Sequence, residues 1–221
     1  MRREPPAAAL FDMDGVLLDS ERLALASVDC AATALGYRLD ATQAHRLIGL
    51  GRDGGSEVLR SMLGEAFPVA RFWDAWYDDY QQRIESGVPV KVGVMSALVA
   101  LSASGVRLAV ATSTETALAR RKLERAGLLD YFAAVVGRDA VANGKPAPDA
   151  YHTAAERLFA VPSQCWAFED SLPGLRAATS AGARTHWVPD IARIAAHDLP
   201  AEVETIGSLA EVERWLRGGD G

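Results

Sequence analysis

Lysine is what this chain has least of among its charged residues. Only Lys91, Lys122 and Lys145 are lysines among 23 basic residues, and the others are arginines. Cysteine is also sparse. Cys30 and Cys165 lie far apart, with no histidine or second cysteine at ligand spacing, which excludes a disulfide framework and a zinc site. Both read as small buried hydrophobes. No apolar run approaches the roughly 18 residues of a membrane span. Arg2-Arg3 are followed by Pro5-Pro6, and the apolar stretch beyond reaches acids within a few residues, which does not fit a signal peptide, so the chain reads as cytoplasmic. Positive charge is short overall, with a net charge of -6, and a nucleic-acid partner held by a broad basic surface is not expected. What is present is ordinary for a globular protein: 221 residues, 49% hydrophobic and 24% charged, enough for one sizeable core or a core carrying an inserted domain.

The stretch Ala7–Phe11 is apolar and long enough for one buried strand, and it runs directly into Asp12-Met13-Asp14-Gly15. In extended backbone, residues two apart point to the same side. The carboxylates of Asp12 and Asp14 therefore converge just past the strand end, where open α/β sheets bind ligands. Two such charges repel unless a cation neutralises them, and hard oxygen donors suit Mg²⁺. Gly15 permits a sharp turn. An isolated Asp-x-Asp is more often a pair of solvated loop acids, so the rest of the chain decides its meaning.

Residues 19–89 follow a helical rhythm, with helices expected over Glu21–Leu35, Thr42–Ile48, Ser56–Leu63 and Arg71–Ile84. Phe72, Trp73, Trp76, Tyr77 and Tyr80 fall on one face of the last helix and are expected to pack inside a small bundle. After Pro89 the pattern alternates. Helices over Val94–Ser104, Thr116–Ala126, Asp149–Phe159, Leu172–Ala181 and Leu209–Arg217 separate strands over Val106–Ala111, Ala133–Val136, Cys165–Phe168 and Arg184–Val188. Such alternation implies an α/β fold with a parallel sheet covered by helices on both faces. The expected architecture is a Rossmann-like core of residues 1–18 and 90–221, with an all-α cap of residues 19–89 inserted after the first strand.

Three more polar sites stand at or just past strand ends. Val106–Ala111 leads into Thr112-Ser113-Thr114, which offers hydroxyl and backbone N–H donors. Lys145 sits in the turn Asn143-Gly144-Lys145-Pro146 before a helix, and Cys165–Phe168 runs into Glu169-Asp170-Ser171. With Asp12-Met13-Asp14-Gly15-Val16, Thr112, Lys145 and Glu169-Asp170 in this order, the chain resembles the haloacid dehalogenase-like hydrolases, in their phosphatase and phosphomutase branch with a helical cap. The resemblance covers residues 7–217. It implies Asp12 as nucleophile and Asp14 as general acid and base. It further implies Mg²⁺ held by Asp12, the backbone carbonyl of Asp14 and Asp170, with Glu169 more weakly or through water. Thr112, Ser113 and Lys145 would bind the phosphoryl oxygens, and the implied partner is a small phosphate ester.

The second acid and the Glu169-Asp170 pair argue against metal-free dehalogenation. A phosphonatase needs a cap lysine, and residues 19–90 contain none. A β-phosphoglucomutase-like enzyme would carry a histidine in the first cap helix and a later cap lysine, and both are missing. Arg52 stands where that branch places a substrate-contacting arginine. A Mg²⁺-dependent phosphatase of a sugar or polyol phosphate is therefore the preferred reading, with a sugar phosphomutase as the alternative. Flavin mononucleotide-type, phosphoglycolate-type and specialised-metabolite phosphates stay open. Ser20, Glu21, Thr114 and Thr116 are expected at the pocket edge. A non-catalytic member of the fold should have lost some of these acids. A monomer or weak dimer is expected.

Overall fold

The computed structural model describes residues 3–47, 50, 52–191 and 194–217. Among them, six strands form one sheet in which every pairing is parallel, ordered β3-β2-β1-β4-β5-β6. The strands are β1 (Ala8–Phe11), β2 (Arg107–Ala111), β3 (Ala134–Val136), β4 (Cys165–Glu169), β5 (Arg184–Trp187) and β6 (Glu204–Thr205). The two-residue β6 carries too little pattern to be read from sequence. The chain divides into two compact units, Met1–Asp19 with Pro89–Gly221, and Ser20–Val88. No helix among the described residues is long and apolar enough to cross a membrane.

In the α/β unit, β1 lies between β2 and β4, so the strand order reverses around it. Strand alternation splits the apolar side chains between the two faces. Leu10, Ala109 and Ala167 pack with Ala154 of α7 (Asp149–Arg157) and Ala177 of α8 (Leu172–Ser180). The small alanines let these helices approach closely. On the opposite face α5 (Val94–Ala103) meets α9 (Ala210–Arg217), whose Trp215 stands edge-on to Trp166, ring centroids 5.4 Å apart. The remaining core helix, α6 (Thr116–Arg125), follows β2.

The chain leaves and rejoins this unit at one place. The Asp19 amide donates to the Pro89 carbonyl (2.9 Å) and the Lys91 amide to the Leu17 carbonyl (3.0 Å), while Leu18 bridges Val90 in antiparallel fashion.

The intervening unit is helical: α1 (Ser20–Ala34), α2 (Ala41–His45), α3 (Arg52–Leu63) and α4 (Val69–Ser86). Its core gathers Val28, Ala31, Leu59, Phe67, Phe72 and Trp73. Helix α3 begins one turn earlier than the propensity of Gly54-Gly55 suggests. Gly55 lies against the Trp73 ring, and a Cβ there would come within 2.7 Å of it. Packing overrides the intrinsic glycine penalty at this point. Ile48, the expected end of α2, lies outside the described residues.

Two expectations need correction. Cys30 is exposed rather than buried. Val28, Ala31 and Ala32 turn inward, and the helical repeat sends Cys30 to the outer face of α1. Cys165 is buried as expected. Of the aromatic set on α4, Phe72, Trp73 and Tyr80 are buried, but Tyr77 is 54% exposed and lies outside the bundle core.

The α/β core also carries a buried imidazole. His186 of β5 stacks on Phe168 with centroids 5.0 Å apart, and burial pulls its pKa down to about 4. The unfolded chain takes up the proton that the folded chain refuses, so the contribution of a neutral His186 to stability is full above about pH 6.5 and declines as pH falls toward 4. The loss amounts to roughly 3 kcal/mol. Between pH 7 and 4 the melting temperature of the parent should fall relative to that of His186→Gln, which carries no proton-accepting ring at this position.

Candidate active site

All the acidic motif residues stand at the carboxyl edge of the sheet. Asp12 follows β1, and its amide continues the ladder to the Phe168 carbonyl (2.9 Å). Thr112 follows β2 and pairs through its amide with the Val136 carbonyl (2.9 Å). Glu169 ends β4 and Asp170 comes next, while Lys145 lies between β3 and α7. Gly15 has a φ of +86°, and any Cβ there would collide with the Asp170 carboxylate. Glycine is thus required both by the turn and by the close approach.

Asp12 is almost wholly buried. Lys145 donates to Asp12 Oδ1 (2.5 Å) and to Glu169 Oε1 (2.5 Å). Burial alone would lower the Lys145 pKa, but the two carboxylates beside it hold it above the ordinary lysine value. Desolvation pushes the Asp12 carboxyl up to about 8; Lys145 opposes the rise, and Glu169 and Asp14 add to it. Glu169 is completely enclosed. Its Oε1 also accepts from the Tyr151 hydroxyl (2.9 Å), and its Oε2 accepts from the Asp170 and Ser171 amides (3.0 and 3.2 Å) and from the Ser171 hydroxyl (3.1 Å). Burial raises the Tyr151 pKa well above the ordinary phenol value, so its hydroxyl remains a donor.

Asp14 is gripped from the other side. Thr114 Oγ1 donates to its Oδ2 (2.7 Å), and Lys122 Nζ to its Oδ1 (2.8 Å). Lys122 is buried, turned inward from α6 alongside Ala119 and Leu123. Neither Lys122 nor Tyr151 was among the residues expected from sequence. Lys122 lies within Arg120-Arg121-Lys122-Leu123-Glu124-Arg125, which reads as a solvated helix. The available signal was its place on the apolar face with Ala119 and Leu123, in a chain with three lysines.

Thr112 Oγ1 accepts from the Thr114 amide (3.1 Å), which shapes the loop, and Ser113 is exposed. Thr116 is bound to Asp139 through both its amide and its hydroxyl (2.7 Å each). Ser20, Glu21 and Arg52 belong to the helical unit: Ser20 is buried at the start of α1, and Arg52 lies 3.5 Å from Asp74.

One oxygen each of Asp12, Glu169 and Asp170 lie within 4.8 Å of one another, a set able to hold a metal ion. Asp14 pairs with Lys122, Asp12 and Glu169 pair with Lys145, and Asp170 adds a fourth carboxylate beside Asp12 and Glu169. The excess of negative charge, together with hard oxygen donors around a desolvated Asp12, fits a divalent cation.

Residues 9–188 match the family model described as haloacid dehalogenase-like hydrolase. The chain belongs to this family. A phosphorylated carbohydrates phosphatase of Thermotoga maritima is 34% identical over 175 residues, covering 79% of this chain and 81% of the relative. A β-phosphoglucomutase of Bacillus subtilis is 30% identical over 185 residues, covering 79% of this chain and 80% of the relative. Among solved structures, a hydrolase of the same family from Deinococcus radiodurans R1 with bound phosphate and sodium superposes with a TM-score of 0.80 at 28% identity, covering 97% of this hydrolase and 96% of that chain. These likenesses agree with the Rossmann-like parallel fold seen here.

Proposed function

We propose that this hydrolase is a Mg²⁺-dependent phosphatase that cleaves a small sugar or polyol phosphate through an aspartyl-phosphate on Asp12. The observation that carries the reading is the pair of differently held carboxylates: Asp12 buried against Lys145, and Asp14 fixed by Thr114 and Lys122. Asp12 attacks phosphorus as the bond to the leaving oxygen breaks, and that oxygen takes its proton from Asp14. Asp14 then removes a proton from water, whose oxygen attacks the phosphoryl group and releases phosphate and Asp12. Lys145, Thr112 and Ser113 neutralise and position the transferring oxygens, the main demand of phosphoryl transfer. The Asp12 and Asp170 carboxylates and the Asp14 backbone carbonyl would hold Mg²⁺, with Glu169 mainly anchoring Lys145 beside them. When bound, the cation neutralises charge between nucleophile and phosphate. Residues 19–89 act as the cap, and the enzyme works in the cytoplasm as a monomer or weak dimer.

A panel of sugar, polyol, nucleotide and glycolate phosphates tests this. Phosphate release should require Mg²⁺, cease with EDTA and return on adding the metal. The similarity to the Bacillus subtilis mutase favours one second reading, a sugar phosphomutase. Conversion of β-glucose 1-phosphate to glucose 6-phosphate with little free phosphate would establish it instead.

A further inference from the structure

Glu169 is held with its acceptor positions filled. An ionised carboxylate offers about four lone pairs, two on each oxygen. Oε2 meets three donors, the Asp170 and Ser171 amides and the Ser171 hydroxyl. Oε1 meets two, Lys145 Nζ (2.5 Å) and the Tyr151 hydroxyl (2.9 Å). Helix α8 closes on the same group, since a Cβ on Gly174 would lie 1.8 Å from Oε1. The carboxylate is therefore fixed in orientation. The ammonium and the phenol divide the two lone pairs of Oε1 between them.

Packing does not ask for the Tyr151 hydroxyl. The residue is completely buried in the apolar cluster with Leu10, Ala154, Ala155 and Ala167, and a phenylalanine would fill the same space. A hydroxyl in so dry an interior is disfavoured unless it is hydrogen-bonded, and Glu169 supplies the acceptor. The Tyr151 ring also stands 5.2 Å from Lys145 Nζ, within reach of a cation–π contact. Tyr151 thus bounds the ammonium twice, with its ring directly and with its hydroxyl through Glu169. An ammonium has three N–H donors. Asp12 and Glu169 accept from that of Lys145, which leaves the third N–H for a transferring phosphoryl oxygen.

We infer that Tyr151 is a positioning residue for phosphoryl transfer, its hydroxyl filling one lone pair of Glu169 Oε1 and so confining Lys145 to the other. From there the ammonium serves Asp12 and the phosphoryl group together. This rests on the phosphatase reading above and adds a residue to its machinery. Without the hydroxyl, both lone pairs of Oε1 are open to Lys145, and the ammonium is drawn toward Glu169. The test is Tyr151→Phe in the whole chain with saturating Mg²⁺, alone and combined with Lys145→Met. On the best ester of the phosphate panel, Tyr151→Phe should lower kcat/KM by about tenfold, the scale of one hydrogen bond to a charged group. The affinity for orthovanadate, which adopts the five-coordinate geometry of transferring phosphorus, should weaken by a similar factor. Half-saturating Mg²⁺ and the melting temperature should stay close to those of the parent. In the Lys145→Met background, adding Tyr151→Phe should cost less than about twofold in kcat/KM and in vanadate affinity, because the lysine carries the effect. Equal losses in both backgrounds, unchanged kcat/KM and vanadate affinity, or failure of Tyr151→Phe to fold would each overturn the inference while leaving the phosphatase intact. If the parent hydrolyses no ester, the phosphatase reading fails. Calorimetry with orthovanadate then decides Tyr151: weaker binding by Tyr151→Phe supports the positioning role, and equal binding or none by the parent overturns it.

Discussion

Asp12→Asn should reduce phosphate release by at least about 10⁴-fold and leave a folded protein. An amide has no anionic oxygen to offer phosphorus, whereas every other donor around the site is untouched. The fold should survive because the substitution is nearly isosteric and removes a charge that burial disfavours. Lys145 keeps its second partner, Glu169. Two measurements check this together. Circular dichroism and the melting temperature should stay close to those of the parent. Acid-quenched reactions with labelled substrate should trap phosphoprotein in the parent and none in the variant. A folded Asp12→Asn protein with parental turnover would remove the nucleophile from the mechanism.

The second large effect is expected at Lys122, whose ammonium donates to Asp14. Lys122→Met keeps the apolar stem and removes the ammonium, leaving Asp14 held by Thr114 alone among the two side chains described above. If Lys122 holds Asp14 ready for proton transfer, kcat/KM for an alkyl phosphate should fall by about 10²-fold, within the usual worth of general acid catalysis. The loss on p-nitrophenyl phosphate should be below about tenfold, because that leaving group departs without a proton. Lys122→Arg should recover much of the alkyl activity. Equal losses on the two esters would make Lys122 a support of the fold instead.

These two residues also mark what could be read without coordinates. Asp12, Asp14, Glu169 and Asp170 are legible because each follows an apolar strand run that brings it to one edge of the sheet, whereas Lys145, in a turn before a helix, is legible only through the ordered motif set and the family resemblance it carries. Lys122 is not legible in that way. It stands ten residues beyond Thr112 in a helix crowded with arginine, and only packing shows that the helix turns this one cation inward. Tyr151 is hidden for a related reason, since a tyrosine on an alanine-rich helix reads as core and its hydroxyl partner is remote in sequence. The helical rhythm of residues 19–89 was plain, but the outward faces of Cys30 and Tyr77 were not. An apolar residue on an amphipathic helix is assigned inward until the neighbouring surface is known.

The paired exit and return of the chain at Asp19 and Pro89 bear on how such an enzyme can change its diet. The two ends of the excursion are already hydrogen-bonded to each other, so the sheet is indifferent to how much polypeptide lies between them. Closing the core over a short turn, or over a foreign helical bundle, alters loop entropy only slowly with length. In the proposed mechanism every residue that breaks the phosphate ester is encoded on one side of this junction, and Ser20–Val88 forms the unit on the other. A different helical unit between the same two ends would leave those residues in place.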